Sequence, residues 1–232
     1  MIEGIIGSLK GSLRDSYQDY ANFHIGENAE IWIIGDGATN AKDSGEYISS
    51  FCNSLLACLL SWGGRLTVAH VPDAINMIHE KIKRRFICAK GSFLLLFIEK
   101  KTDVQHCFYL GDCRVGQVLG GIITWHIQPH SMPLALGACD EHQLCFHPQR
   151  HILFRQLTAR RLERPDYRQL SLDLSLPVVL ATDGFWCNYP AALPGELSSE
   201  ALSTCLNGQK NASDDMTIVI RRYPNDNGVA FS

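Results

Sequence analysis

Short, continuous apolar runs recur along this chain and mark buried strands. Residues 30–34, 92–99 (FLLLFI at the centre), 177–181 and 216–222 read this way. Residues 2–13 alternate weakly and predict a first strand with a glycine-marked bend, and Asp19 precedes another short strand-like run. Two stretches carry the helical period instead. Ile48, Phe51, Cys52, Leu55, Leu56, Leu59 and Leu60 share one face of a helix that Asp43 or Ser44 can cap and Gly63-Gly64 ends. A second helix starts near Pro72-Asp73, with Val71, Ile75, Ile78, Ile82 and Phe86 on one face and a solvated basic end at 81–85.

The middle of the chain reads as an antiparallel meander: strands at 107–110, 115–119 and 122–127, joined by a tight bend at 111–114 and by Gly120-Gly121. Residues 128–150 look irregular, 152–157 reads as a further strand, and Arg155, Arg160, Arg161, Arg164 and Arg168 give a basic loop region. A short loop follows Asp183, then a helix at 198–206 closed by Asn207-Gly208. About ten strands that do not alternate with helices predict an α+β fold, with two antiparallel sheets packed together and helices outside. The expected layout is one domain over 1–223 and a C-terminal tail over 224–232.

Composition narrows the function classes. At 46% hydrophobic and 19% charged residues, 232 residues can bury a large core. A net charge of −3 gives no footprint for nucleic acid or an anionic membrane. No apolar run reaches bilayer length, and the N-terminus lacks the pattern of a signal peptide. Nine irregularly spaced cysteines fit reduced thiols and a cytoplasmic location. Cys139, His142, Cys145 and His147 are zinc-ligand types at short spacing, but the spacing matches no common zinc pattern, and a loop that happens to hold them is the simpler reading.

The candidate chemistry sits at strand ends. The run 177–181 delivers Asp183, the run 31–34 delivers Asp36 beside Gly35 and Gly37, and Asp214-Asp215 leads into the last strand. Three carboxylate-bearing strand ends from distant parts of the chain are what a folded two-metal site needs. Arg14, five positions before Asp19, offers a planar donor fork that suits a phosphate dianion.

Five short segments, in order, resemble the metal-dependent protein phosphatases of the type 2C class, especially a compact bacterial branch. They are Tyr17-Gln18-Asp19-Tyr20-Ala21, Asp36-Gly37-Ala38-Thr39-Asn40-Ala41, Gly111-Asp112-Cys113-Arg114, Ala181-Thr182-Asp183-Gly184 and Asp214-Asp215-Met216-Thr217. The resemblance implies a four-layer αββα sandwich. It also implies two divalent cations, Mn²⁺ or Mg²⁺, held by Asp19, Asp36, the Gly37 carbonyl, Asp183 and Asp214, with Asp215 contacting metal-bound water. Arg14 would bind the phosphate, and a water activated by the two metals would attack phosphorus. The implied activity is phosphoserine/phosphothreonine hydrolysis in signalling proteins, opposite a Ser/Thr kinase. Apart from the resemblance, the basic charge of 155–168 makes it a candidate contact for acidic phosphoprotein segments. The chain departs from the family pattern at Ala38, where many members have His, at 87–92, which lacks a carboxylate, and at Gln128-Pro129-His130-Ser131, where the family element reads QDHS. These departures keep open the alternative of a pseudophosphatase that binds phosphoproteins without turnover. Oligomeric state is not written in the sequence.

Overall fold

The apolar runs become strands covered on both faces. In the computed structural model, which describes residues 1–189, 193, 198–209 and 212–223, they form two antiparallel sheets. One has the order β2 (Asp19–Ile25), β3 (Ala29–Gly37), β4 (Lys90–Glu99), β5 (Val104–Leu110), β9 (Asp166–Leu170), with the two-residue β8 (Leu157–Thr158) paired to β4. The other runs β1 (Glu3–Leu9), β11 (Met216–Arg222), β10 (Val178–Ala181), β6 (Arg114–Leu119), β7 (Ile122–Trp125).

Strand periodicity divides the side chains between cores. Ile31, Ile33, Phe93, Leu95 and Phe97 face α1 (Ser44–Leu60) and α2 (His70–Ile82), meeting Phe51, Leu55 and Ile75. Their neighbours Trp32, Ile34, Leu94 and Leu96 face the other sheet and pack with Val115, Val178, Leu180 and Val219. The far side of that sheet, through Val179, Ile218 and Ile220, packs on Phe185 of α5 (Asp183–Asn188) and on Leu202 and Leu206 of α6 (Ser199–Asn207). The result is the expected four-layer αββα sandwich. Each fully buried Leu or Ile contributes about 1.5–3 kcal/mol, so these double-sided strands dominate its stability. Glu30 and Arg221 also lie between the sheets, joined by bonds of 2.8 and 3.2 Å.

The structure corrects several sequence expectations. Residues 107–127 are not one meander: β5 belongs to one sheet and β6 to the other, and the chain steps between them at Gly111-Asp112-Cys113. Gly111 allows the step through a φ of 102°, and a Cβ there would collide with Ser92. Apolar residues flank the step on both sides, so the pattern cannot show a change of sheet. Residues 152–157 form no full strand; Leu153 makes one bridge to Ser131, and only β8 follows. The irregular stretch holds α3 (Met132–Ala135) and α4 (Glu141–Leu144), the latter opened by an Asp140/Gln143 capping box. Strand β9 begins within the arginine-rich stretch and runs past it, and Asp183 opens a helix rather than a loop. Asp43 adopts φ 60° without a side-chain cap, while the Ser44 hydroxyl accepts from the Lys90 amide at 3.2 Å. The tail at 224–232 lies outside the described residues. Among the described residues no helix is long and apolar enough to cross a membrane.

Candidate active site

Strand register builds the first half of the site. Asp19 pairs across from Asp36, and Asp36 across from Ser92. The Ser92 hydroxyl donates to Asp112 Oδ1 at 2.6 Å, and the Asp112 amide donates back to Ser92 Oγ at 3.1 Å. The second half comes from the other sheet. Asp183 opens α5 just after β10, and Asp214 stands two residues before β11. Gly184 lets α5 lie against the Asp215 carbonyl, which any Cβ there would strike. Arg14, Asp36, Gly37, Asp112, Arg150, Asp183 and Asp214 line one cleft of about 560 Å³.

Of the residues singled out from sequence, Arg14, Asp36, Gly37, Asp183 and Asp214 therefore share this cleft. Asp19 does not line it. It is buried beneath, with the Thr182 hydroxyl donating to its Oδ2 at 2.9 Å, and its Oδ1 has no hydrogen-bond partner. Arg14 Nε donates to Asp214 Oδ1 at 2.9 Å, and its Nη2 makes a closer contact with the same oxygen. Asp215 binds the backbone. Its two oxygens accept from the Gly11 amide at 2.8 Å and the Gln18 amide at 2.7 Å, tying the 11–18 loop to the last strand.

Asp112, Arg150 and His151, all lining the cleft, carry no site role in the sequence reading. Asp112 falls in a stretch that reads as a bend, although Tyr109-Leu110-Gly111-Asp112 repeats the apolar-Gly-Asp design of Ile33-Ile34-Gly35-Asp36. Arg150 comes from the irregular stretch and carries no local signal. Its Nε donates to Cys187 Sγ at 2.9 Å, and its guanidinium lies 3.8 Å from Asp183 Oδ2.

The electrostatics are those of crowded acids. Burial, then the charges of Asp19, Asp183, Asp112 and Asp214, push the Asp36 carboxyl well above the usual carboxylate range. Burial, then Asp112 and Asp214, do the same to Asp183, with Arg150 opposing. Burial raises Asp19 to about 7 against the hydrogen bonds it accepts from Thr217 and Thr182. Asp112 is raised by burial first, while its Ser92 bond pulls the other way. Buried like charges of this kind cost free energy unless a cation offsets them.

Among the described residues no group of three or more His, Cys, Asp or Glu side chains forms a ready-made metal cage. This holds for the cleft acids and for Cys139, His142, Cys145 and His147, where Cys139 and Cys145 pack at the margin of the core under α5. The cleft nevertheless fits a hard divalent ion. Its donors are carboxylate oxygens, Asp19 Oδ1 is buried without a partner, and Mg²⁺-like ions characteristically use one or two carboxylates and complete their shell with water.

Neither a family model nor a curated protein matches the sequence. Solved structures do match. The PPM Ser-Thr phosphatase MsPP from Mycobacterium smegmatis, in complex with cacodylate, superposes with a TM-score of 0.75 at 14% identity, over 95% of this chain and 97% of that one. A serine/threonine phosphatase from Staphylococcus aureus gives 0.77 at 16% identity, over 97% and 96%. The catalytic domain of the serine threonine protein phosphatase PstP, in complex with two manganese ions, gives 0.71 at 16% identity, over 95% and 97%. The chain has the fold of the PPM Ser/Thr phosphatases. On this PPM fold the acid cleft opens at one edge of the sandwich, where strand ends of both sheets meet.

Proposed function

We propose that the chain is a metal-dependent protein phosphatase that removes phosphate from serine or threonine of a phosphorylated protein, opposite a Ser/Thr kinase. The observation that carries this reading is the meeting of Asp36 and Asp112 from one sheet with Asp183 and Asp214 from the other in a cleft that also holds two guanidinium groups. Asp36, Asp183 and Asp214 would hold the two divalent cations, Mn²⁺ or Mg²⁺, together with Asp112 and the Gly37 carbonyl. When bound, these ions supply Lewis-acid polarisation of the phosphoryl group and acidify water. Asp19, below the cleft and opposite Asp36, would add its unpartnered Oδ1 to that set.

The remaining work falls to the chain. Arg14 and Arg150 present planar forks that match phosphoryl oxygens and spread the charge of the transferring group. Among the described residues no cysteine lines the cleft, which fits direct attack by water rather than a phosphocysteine. The leaving serine or threonine oxygen needs a proton. With Ala38 in the second motif, His151 is the one imidazole among the described residues lining the cleft, and it takes that role. A phosphoprotein-binding module without turnover has no need to pack buried acids together, so the same observation favours the enzyme over the pseudophosphatase.

The test is hydrolysis of a phosphoserine peptide with and without Mn²⁺, with Asp36→Asn alongside. Mn²⁺-dependent phosphate release that the variant loses supports the proposal. Full activity in Asp36→Asn, or activity indifferent to metal, overturns it. His151→Gln should slow the peptide by roughly 100-fold and p-nitrophenyl phosphate far less, because nitrophenolate leaves without a proton.

A further inference from the structure

His130 belongs to an element, Gln128-Pro129-His130-Ser131, for which the cleft chemistry gives no role. It is buried, and its ring lies flat on Tyr109 with centroids 5.0 Å apart and an interplanar angle of 9°, with Phe154 edge-on at 5.3 Å. Its polar atoms grip one residue twice. Nδ1 accepts the Gly111 amide at 2.9 Å, and the His130 amide donates to the Gly111 carbonyl at 2.9 Å. Because Nδ1 must be bare to accept that amide, the ring proton sits on Nε2, which donates to Asp166 Oδ2 at 3.1 Å. Asp166 is fixed in turn by Arg155. The carboxylate that binds this imidazole comes from β9.

Gly111 is the residue at φ 102° where the chain leaves one sheet for the other, and Asp112 follows it. Beyond its two bonds with Ser92, Asp112 is held by its carbonyl, which accepts the Trp186 indole N–H at 2.9 Å. The neighbouring Ser131 hydroxyl donates to the Arg150 carbonyl at 2.9 Å, so the dipeptide 130–131 anchors the arm that carries the second guanidinium as well.

We propose that His130 is a positioning residue: by gripping both polar atoms of Gly111 it fixes the turn that aims the Asp112 carboxylate into the cleft. The geometric part stands without the phosphatase reading; its consequence for hydrolysis rests on that reading. The oriented tautomer matters because a freely rotating imidazole, or one protonated at Nδ1, cannot accept the amide.

The test compares His130→Phe, which keeps a ring to stack on Tyr109 but loses both nitrogens, with His130→Asn, whose amide oxygen can replace Nδ1. In the metal-free full chain, His130→Phe should speed amide exchange at Gly111 about tenfold and shift the Trp186 indole N–H resonance. His130→Asn should restore both signals. With Mn²⁺ and phosphoserine peptide, the Phe variant should lose about 10–100-fold in kcat with little change in KM, and the Asn variant should recover most of it. Wild-type exchange and an unshifted Trp186 signal in His130→Phe overturn the proposal, as does an Asn variant no better than Phe. Should His130→Phe fail to fold, Asp166→Asn replaces it; faster Gly111 exchange is expected there, and unchanged exchange overturns the proposal. Absence of hydrolysis in the wild type would overturn the phosphatase reading alone, since the exchange data decide the role of His130 independently.

Discussion

Glu30 and Arg221 meet between the two sheets, each 1% exposed, and answer each other's charge with two hydrogen bonds; the Trp32 indole adds a third donor to Glu30 at 3.0 Å. At the edge of the same sandwich Asp19, Asp112 and Asp183 are each only 6% exposed, and Asp36 stands among them. The cations paired with acids of this cleft are Arg14, held by Asp214, and Arg150, held 3.8 Å from Asp183, and Lys90 also lines it. The first region neutralises itself when the chain folds. The second carries more buried negative charge than its arginines offset. A fold keeps such an arrangement at a cost in its own stability, and the cost is recovered when cations from solution bind.

The sharpest separation between the two regions comes from removing one charge in each. Arg221→Met leaves Glu30 buried and unpaired, and should lower stability by about 3–5 kcal/mol in urea denaturation, with much of it restored by adding Glu30→Met. Asp183→Asn should do the opposite to the metal-free fold, raising its Tm by relieving repulsion, while lowering Mn²⁺-dependent hydrolysis by about 100–1,000-fold. Equal losses of stability in both variants would erase the distinction.

The pH dependence of the metal-free protein sharpens it further. Asp19 is raised from an ordinary 3.8 to about 7, and Asp36 and Asp183 move in the same direction. Folded carboxyls of this kind hold protons that the unfolded chain has already released, so stability is fullest below pH 4 as far as these groups decide it. It falls as pH rises towards and through 7. Saturating Mn²⁺ should flatten that slope, as thermal melts across this window would report. The smallest effect is expected at the surface: Arg85→Ala breaks a pair with Glu46 in which both side chains are more than half exposed, and should change stability by no more than about 0.5 kcal/mol.

How much of this could be read from the chain differs between regions for physical reasons. Strands β3, β4, β10 and β11 are buried on both faces, so an unbroken apolar run announces them, and their ends locate Asp36, Asp183 and Asp214. Strand β9 is an edge strand whose Tyr167, Arg168 and Gln169 face solvent, so its residues look like loop. The switch of sheets at Gly111 is hidden because β5 and β6 are both apolar, and with it goes the reading of Asp112 as a cleft acid. Arg150 and the grip of His130 on Gly111 depend on where an irregular stretch comes to rest, which no local period encodes.

The central claim is that the acids at the sandwich edge are built for divalent cations that the chain does not supply. Titration calorimetry of Mn²⁺ into the protein near pH 6.5, repeated in buffers of different ionisation enthalpy, tests it most directly. The account predicts binding accompanied by proton release, because Asp19, Asp36 and Asp183 are raised without a cation, and a smaller release in Asp36→Asn. Absence of Mn²⁺ binding, or binding without proton release, would contradict it.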